Sequence, residues 1–225
     1  MMEKMVAKPK EWNMVVGELE AENLKLASYD KTLIPLLGNI HGKKILDYGA
    51  GPGVLALVLQ RMGAEVKAYD ISPEMNEKAG EKIGKENVYS ESNKIPKNHF
   101  DIVICNLVYC IVSEKEAVKI TKMISKLLQK GGMVYIGFCN PKIFNISESN
   151  LDYRFQTGKG YKENHNYTKI KKEGGYKIIE SHRPIEWYEK ICTKEKLTLL
   201  KKTYTPVYEL NKHTIRDFII FKLRK

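Results

Sequence analysis

The sequence predicts an α/β protein with a doubly wound, mostly parallel seven-stranded sheet whose last strand is antiparallel. Strand-like apolar segments alternate with helix-like segments along residues 43–140. Two of these strands contain continuous apolar runs, 102–104 and 133–138, typical of strands buried on both faces of a parallel sheet. A different pattern follows the fifth strand and predicts an insertion there. We expect a single domain over residues 1–225.

The first 42 residues are expected to form N-terminal helices. Apolar residues recur at helical spacing along residues 11–38, and Pro35 predicts a break between two helices because proline cannot continue the backbone hydrogen-bond ladder. The lysine-rich stretch 1–10 is followed by Glu11 and not by an apolar core, so no signal peptide is expected.

Residues 43–140 are expected to supply five strands and the helices between them. The predicted strands are 43–48, 65–69, 87–89, 100–105 and 133–138, and the predicted helices are 54–62, the segment after Ser72, and 117–128. Ser72 precedes Pro73 and Glu74, a combination expected at a helix N-terminus. Gly131 and Gly132 are expected to end the last of these helices.

The insertion, residues 141–195, is rich in Asn, Lys, Gly and Tyr. A hairpin is predicted on either side of Gly174 and Gly175, and a short helix is expected to begin at Pro184. Residues 196–225 are expected to complete the sheet with two antiparallel neighbours, predicted at 197–204 and 215–223.

Charge is unevenly distributed along the chain. Residues 1–110 contain 14 Lys and Arg against 15 Asp and Glu, whereas residues 111–225 contain 24 against 12. The positive half indicates either an anionic partner such as RNA or a solvated lysine-rich surface, and both interpretations stay open. No apolar run approaches the ~20 residues of a membrane helix, so we expect a cytoplasmic protein without a membrane partner.

The four cysteines form no CxxC pair, and three of them lie in or beside apolar runs. We therefore expect buried free thiols and predict neither a disulfide nor a metal site.

Glycines cluster where the first strand meets its helix, in the run Gly49-Ala50-Gly51-Pro52-Gly53. Exposed backbone N–H groups at such a junction, together with the conformational freedom of glycine, allow a ligand to approach the backbone. Asp70 ends the next strand, at a spacing suited to accepting hydrogen bonds from both hydroxyls of a ribose. These features predict a nucleoside site at the carboxyl edge of the sheet.

The glycine run does not fit the dinucleotide fingerprint. That motif places its third glycine or an alanine at position 54, where this chain has Val54. The run from Ile45 to Gly53 instead resembles the first motif of class I S-adenosylmethionine-dependent methyltransferases, including the acidic residue two positions before the first glycine. Matches continue in the family's order at Asp70–Met75, around Glu91, at Asn106–Tyr109 and at Leu127–Tyr135.

The resemblance implies S-adenosyl-L-methionine as cofactor, with Asp70 on its ribose, Ile71 on its adenine, and Glu91 near the adenine amino group. The segment beginning at Asn106 would flank the methionine part. Asp47 would either contact the cofactor's amino group or serve only in structural hydrogen bonds. The full set implied to bind cofactor is Asp47, Gly49, Ala50, Gly51, Gly53, Asp70, Ile71, Met75, Glu91, Ser92, Asn106 and Leu107.

The acceptor side is expected from the N-terminal helices and from residues 140–190, where small-molecule branches of the family carry a lid. The predicted lid residues are Tyr153, Tyr161, Tyr167, His182 and Arg183. Positioning along the sulfur–methyl axis supplies most of what methyl transfer needs, so no universal catalytic residue is expected. Candidates for a catalytic role, with packing as the alternative, are Tyr109, His165 and His182.

Three functions are compatible with these features. The first is methyl transfer to a small-molecule acceptor, which the lid-like insertion favours. The second is methyl transfer to RNA, which the positive half favours, although Asn106-Leu107-Val108-Tyr109 departs from the Asn-Pro-Pro-Tyr motif used on base amino groups. The third is a non-enzymatic protein that keeps the cofactor fold. The sequence does not specify the acceptor atom or the oligomeric state.

Overall fold

The computed structural model describes residues 4–7, 9–21 and 23–225. Residues 1–3, 8 and 22 lie outside the described residues, and so do the parts of the N-terminal predictions that fall on them. The strands are β1 (Met5–Val6), β2 (Lys44–Tyr48), β3 (Glu65–Tyr69), β4 (Val88–Tyr89), β5 (Phe100–Asn106), β6 (Leu128–Cys139), β7 (Asp152–Arg154), β8 (His165–Lys171), β9 (Lys177–His182), β10 (Thr198–Tyr204), β11 (Tyr208–Leu210), β12 (His213–Ile215) and β13 (Phe218–Arg224). The helices are α1 (Val16–Ala21), α2 (Asn23–Leu37), α3 (Val54–Arg61), α4 (Pro73–Ile83), α5 (Glu114–Leu127) and α6 (Ile185–Lys194).

The main sheet has seven strands in the order β10-β13-β6-β5-β2-β3-β4. The pairs among β2, β3, β4, β5 and β6 are parallel, whereas β13 runs antiparallel to both of its neighbours, β6 and β10. The predicted fold class, a mostly parallel seven-stranded sheet with an antiparallel last strand, is confirmed.

Both faces of this sheet are covered by helices, which explains the uninterrupted apolar runs in its central strands. One face packs on α2, α3 and α4 through side chains that include Leu33 and Leu59. The other face packs on α5 and α6 through side chains that include Ile124 and Tyr188. Burying a side chain such as Leu33 completely contributes about 1.5–3 kcal/mol, so these two layers hold the carboxyl edge of the sheet in place.

Two boundaries differ from the sequence predictions. Pro35 causes no break and lies within α2, two residues from its end, so the backbone hydrogen bond that proline cannot donate is lost only in the last turn. Gly131 and Gly132 do not end α5, which stops at Leu127; both glycines lie within β6, where the register against β5 shifts.

The insertion forms a second sheet of four strands in the order β1-β9-β8-β7. The predicted hairpin is present, and its antiparallel strands β8 and β9 bring His165 opposite His182. The sequence did not predict β1, which pairs in parallel with β9 through Met5 and Val6. The N-terminus of the chain is therefore attached to the insertion, about 170 residues away in sequence.

A buried ionic network attaches this second sheet to the rest of the fold. Asp152 accepts from Lys169 at 3.2 Å and from Arg154 at 3.3 Å, and Lys169 also pairs with Glu180. The neighbouring cations hold the pKa of Asp152 well below its usual range, although burial opposes them. Buried charges are tolerated only when they are paired in this way. The network also reaches the main sheet, because Asp217, just before β13, lies 3.9 Å from Arg154.

Among the described residues, no helix has the length and apolar composition needed to cross a membrane.

Candidate active site

The glycine loop, residues 49–53, connects β2 to α3 and is bonded to the end of the neighbouring strand. The N–H groups of Gly49 and Ala50 donate to the carbonyl oxygen of Tyr69 at 2.7 and 3.0 Å. The N–H of Gly51 donates to the Asp70 carboxylate at 2.9 Å. The loop and the residue after β3 therefore form one hydrogen-bonded unit.

The glycines in this loop are required by backbone conformation and by space. Gly49, Gly51 and Gly53 have φ values of 78°, 53° and 76°, in the left-handed region that favours glycine. A Cβ on Gly49 would lie 2.2 Å from Cγ2 of Val108. A Cβ on Gly53 would lie 2.7 Å from Cα of Ala79, so this glycine allows α3 and α4 to pack closely.

Asp70 is held in one orientation beside the loop. Its Oδ2 accepts from Gly51 N and its Oδ1 accepts from Ser72 N, each at 2.9 Å. The Asn76 side chain bonds both the backbone N–H and the carbonyl of Asp70 at 2.8 Å. Burial raises the pKa of Asp70, and the hydrogen bonds from the backbone oppose that shift. Each carboxylate oxygen retains a lone pair that could accept from a ligand hydroxyl.

Asp47 has an unsatisfied carboxylate oxygen inside the fold. Its side chain, near the end of β2, is 2% exposed, and its Oδ2 has no hydrogen-bond partner among the described residues. Burial, with the nearby charges of Asp70 and Asp30, raises the pKa of Asp47 to about 7. Leaving a buried acceptor unpaired costs about 1–3 kcal/mol, more for a charged one. This position therefore suits a ligand that donates hydrogen bonds or carries positive charge.

These groups line a cleft of about 400 Å³ at the carboxyl edge of the main sheet. Ten of the twelve residues predicted to bind cofactor lie on its wall: Asp47, Gly49, Ala50, Gly51, Asp70, Ile71, Met75, Ser92, Asn106 and Leu107. Gly53 does not line the cleft, because it contacts α4 instead. Glu91 does not line it either: its side chain is half exposed and pairs with Lys94 at 2.5 Å.

The N-terminal segment supplies a wall that the sequence predicted only in outline. Trp12, Leu19, Tyr29 and Asp30 line the cleft opposite the glycine loop. Tyr29 donates to Oδ1 of Asn106 at 2.6 Å and its ring packs edge-on against Phe218. The sequence signal for this wall was the presence of two aromatic residues, Trp12 and Tyr29, in a segment otherwise rich in Leu and Glu. A third wall comes from the segment after β5 and from α5, namely Ile111, Val112, Glu116, Lys119 and Ile120.

The three catalytic candidates lie away from the cleft. Tyr109 is fully buried and its hydroxyl bonds Thr121 Oγ1 at 2.9 Å, so it packs against α5. His165 and His182 stack on each other, with ring centroids 4.8 Å apart. Nε2 of His182 bonds the carbonyl oxygen of Tyr161 at 2.8 Å, and burial lowers the pKa of His182. None of these three side chains lines the cleft.

The predicted lid residues do not line the cleft either, because other partners hold them. The Tyr161 hydroxyl accepts from Ile185 N at 2.9 Å, and Tyr167 donates to Glu180 at 2.6 Å. Arg183 donates to the carbonyl oxygen of Tyr109 at 2.8 Å. Tyr153 is exposed on the outer side of the insertion, beneath the ammonium of Lys172. In this structure no residue of the insertion lines the cleft.

One cluster has potential metal ligands. The thiols of Cys110 and Cys139 and a carboxylate oxygen of Glu180 lie within 4.8 Å of one another. The Lys169 ammonium is also present, 3.5 Å from Cys139 Sγ and paired with Glu180. Because this cation already neutralises the carboxylate, the arrangement requires no metal ion to balance its charge.

Comparison with known proteins identifies the central part of the fold. Residues 46–136 match the family model of the methyltransferase domain. This segment runs from β2 to β6 and contains the glycine loop, Asp47 and Asp70. Residues 46–136 therefore have the sequence pattern of a methyltransferase domain. The resemblance inferred from the sequence motifs is thereby confirmed.

Curated relatives of this methyltransferase domain match only part of the chain. An uncharacterised protein from Haemophilus influenzae is 29% identical over 116 residues, which is 46% of this chain and 45% of that protein. A ribosomal protein L11 methyltransferase from Paraburkholderia xenovorans is 37% identical over 70 residues, or 29% of this chain and 23% of the relative. The chain thus aligns with less than half the length of these relatives.

Solved structures share the fold of the methyltransferase domain and of the whole chain. A proposed S-adenosylmethionine-dependent methyltransferase from Listeria monocytogenes has a TM-score of 0.68 at 19% identity, covering 91% of this chain and 99% of that one. A 1,6-didemethyltoxoflavin-N1-methyltransferase from Burkholderia thailandensis has a TM-score of 0.61 at 15% identity, covering 98% and 91%. A magnesium protoporphyrin IX methyltransferase from Synechocystis, with bound S-adenosylmethionine, has a TM-score of 0.55 at 14% identity, covering 96% and 83%.

Proposed function

We propose that this chain binds S-adenosyl-L-methionine in the cleft and transfers its methyl group to a small-molecule acceptor. The observation that carries the proposal is the pair of carboxylates beside the glycine loop, Asp47 buried and Asp70 partly buried. Asp70 retains acceptor capacity and Asp47 has an oxygen without a partner. A ligand with ribose hydroxyls and an ammonium group would satisfy both.

The residues of the cleft fit this cofactor. Asp47 would bind the ammonium group, because Oδ2 of its buried carboxylate has no hydrogen-bond partner among the described residues. Asp70 would accept from the ribose hydroxyls, and Ile71, which is 64% exposed, would cover the adenine ring. Gly49 and Gly51 leave the backbone accessible where side chains would otherwise obstruct it.

The protein's part in the reaction is to bind and orient. When bound, the cofactor supplies a methyl group already activated by the positive sulfur atom. Aligning an acceptor atom with that group converts a bimolecular encounter into an effectively unimolecular step, which can lower a barrier by about 7–11 kcal/mol. The cleft walls formed by Trp12, Tyr29 and Ile111 would exclude water and hold the acceptor. We assign no general base, since none is needed unless the acceptor must lose a proton.

The size and lining of the cleft support a small acceptor. Its walls beyond the cofactor residues are mainly apolar and aromatic, from Trp12 and Leu19 on one side to Ile111 and Ile120 on the other. Such linings are typical of small-molecule sites. Two proteins of similar fold are named for acting on a porphyrin and on didemethyltoxoflavin. The ribosomal protein L11 methyltransferases align over 23% of their length and therefore offer little guidance on the acceptor.

RNA is the second candidate acceptor. The observation that favours it is the excess of 24 Lys and Arg over 12 Asp and Glu in residues 111–225. Binding through phosphate contacts would weaken steeply as salt is raised.

One labelling experiment tests both candidates. The protein is incubated with methyl-labelled S-adenosylmethionine and, separately, with a metabolite extract or with bulk RNA. We expect label in the small-molecule fraction. Label found only in RNA would mean that the acceptor is RNA and not a small molecule. Calorimetry that detects no binding of S-adenosylmethionine would reject the proposed activity altogether.

A further inference from the structure

A second groove lies between α5 and α6, on the face of the molecule next to the cleft. Its volume is about 430 Å³. Four lysines line it, Lys115 and Lys119 from α5 and Lys190 and Lys194 from α6, against a single acid, Glu114. Each lysine pair is spaced four residues apart, so the side chains of a pair lie on the same helix face.

The positive charge of this groove is only partly offset by nearby carboxylates, namely Glu114 in its lining and Glu116, whose charge interacts with that of Lys119. Within the described part of the chain, Lys115, Lys190 and Lys194 form no ion pair. The lining acid Glu114 accepts from the Asn164 side chain at 2.9 Å. Glu116, one turn before Lys119, is held by Ser113 in a capping box at the start of α5. Several like charges on adjoining helices repel one another, and a bound anion would relieve that repulsion.

The groove and the cleft are neighbours. Lys119 lines both of them, so a single molecule could extend from one into the other. The two compartments differ in charge: the cleft contains Asp30, Asp47 and Asp70, whereas the groove has four lysines. An anionic group would be repelled by the cleft carboxylates and attracted to the groove, which would orient an acceptor with one charged end.

We propose, on the basis of the proposed function, that the acceptor carries a phosphate or carboxylate group that binds in the α5–α6 groove while its methyl-accepting end enters the cleft. The half-buried ring of Trp187 forms part of the groove wall. The Arg183 guanidinium, 4.9 Å from the ring centroid, fixes this ring by stacking on it. The ring would pack against the part of the acceptor that joins its charged group to its reactive end.

The first test measures anion binding without reference to the reaction. Trp12 and Trp187 are the two tryptophans of the chain, so fluorescence of a Trp12→Phe variant reports on the groove. Inorganic pyrophosphate is titrated into this variant and into the same background with Lys115, Lys190 and Lys194 changed to Gln. We expect about tenfold weaker binding in the triple variant, because three of the positive charges that attract the anion are removed. A matched control changes three exposed lysines elsewhere, Lys43, Lys97 and Lys162, to Gln.

The second test follows the reaction product. The labelled product formed from the metabolite extract should be retained by an anion exchanger at pH 8. With the purified acceptor, the groove triple variant should raise KM at least about tenfold with little change in kcat, because the groove acts in binding and not at the reacting atoms. A neutral or cationic product, or equal KM in the groove variant and the control, would overturn the inference.

The source of the anionic group is decided by comparing two probes. A twelve-nucleotide single-stranded RNA that binds far more tightly than pyrophosphate, with a steep salt dependence lost in the groove variant, would assign the group to a polynucleotide. Comparable affinities would assign it to a small molecule. Binding of S-adenosylmethionine is measured separately by calorimetry, so failure of the proposed function and failure of the groove inference give different results.

Discussion

The hydroxyl of Tyr29 donates a 2.6 Å hydrogen bond to Oδ1 of Asn106, joining helix α2 to the carboxyl end of β5 inside the cleft. Gly137 on β6 makes this contact possible, because a Cβ there would lie 1.5 Å from the Tyr29 hydroxyl oxygen. The N-terminal wall of the cleft therefore depends on a glycine near the carboxyl end of β6.

Changing Gly137 to Ala should displace Tyr29 and destabilise the fold by about 1–3 kcal/mol, the usual cost of overpacking. Urea unfolding of Gly137→Ala measures this loss. The matched control is Gly17→Ala in α1, where nothing lies within 4 Å of the added Cβ. The control should be neutral or stabilising by about 0.5–1 kcal/mol, since alanine favours a helix. Equal stability of both variants would contradict the packing of Tyr29 described here.

Changing Asp70 to Ala should weaken binding of S-adenosylmethionine at least about tenfold, because two ribose hydroxyls would lose a charged acceptor. Isothermal titration measures the affinity. Glu91→Ala is the matched control, since Glu91 is also a carboxylate near the carboxyl edge of the sheet but does not line the cleft. Its affinity should stay within about twofold of wild type. Similar losses in both variants would mean that Glu91 reaches the cofactor.

Affinity for the cofactor should depend on pH through Asp47, whose pKa is raised to about 7 by burial and by the nearby carboxylates. A bound ammonium group favours the ionised carboxylate. Below about pH 7 the carboxyl is protonated and must first release its proton, so affinity should fall by up to tenfold per pH unit. Above that pH it should level off.

Titration calorimetry from pH 5.5 to 8.5, in buffers of different ionisation enthalpy, measures both the affinity and the released proton. In Asp47→Asn the affinity should be lower at pH 8 and should depend less on pH. The pH dependence that this variant retains should come from Asp70. A wild-type profile that is flat between pH 6 and 8 would argue against Asp47 as the ammonium-binding group.

Changing Lys169 to Met should destabilise the protein by about 3–5 kcal/mol, because Asp152 and Glu180 would lose a buried cation. Lys172→Met is the control: Lys172 pairs with Glu148 at 2.6 Å, but both side chains are about a quarter exposed. That change should cost about 0–1 kcal/mol. Thermal unfolding of the two variants compares them directly.

The same network predicts acid sensitivity. The pKa of Asp152 is depressed in the folded state, so the stabilisation is present above the ordinary carboxyl pKa and is lost as pH falls below it. The free energy of unfolding of wild type should therefore decrease below about pH 4, and this decrease should be smaller in Asp152→Asn. Urea titrations at pH 3 to 7 measure the difference.

The parts of the fold that local sequence determines were predictable. The glycine loop, Asp70 and the Ser72 cap depend on short-range backbone requirements, and each lies where the sequence placed it. The apolar run 102–104 identified β5 because a strand covered on both faces needs no polar alternation. Ten of the twelve predicted cofactor residues consequently share one cleft wall.

The parts that depend on long-range contacts were not predictable. Nothing in the residues around Met5 indicates pairing with β9, because a two-residue strand has no periodicity of its own. Tyr161 and Arg183 have the composition of a lid, but they bond Ile185 and Tyr109, contacts that single-sequence patterns do not reveal. Glu91 was placed by analogy with a motif, and its ion pair with Lys94 directs it outward.

The pairing of β1 with β9 joins two segments that would usually be treated as independent when the chain is engineered. Trp12 and Leu19 pack on an apolar cluster that contains Val6 of β1 and Ile178 of β9, so the cleft wall they form is attached to the insertion. A chimera that carries the insertion of a related protein, but keeps its own first twenty residues, would lose the pairing of β1 with β9. Designs that exchange segments to accept new substrates should therefore exchange the N-terminal segment and the insertion together.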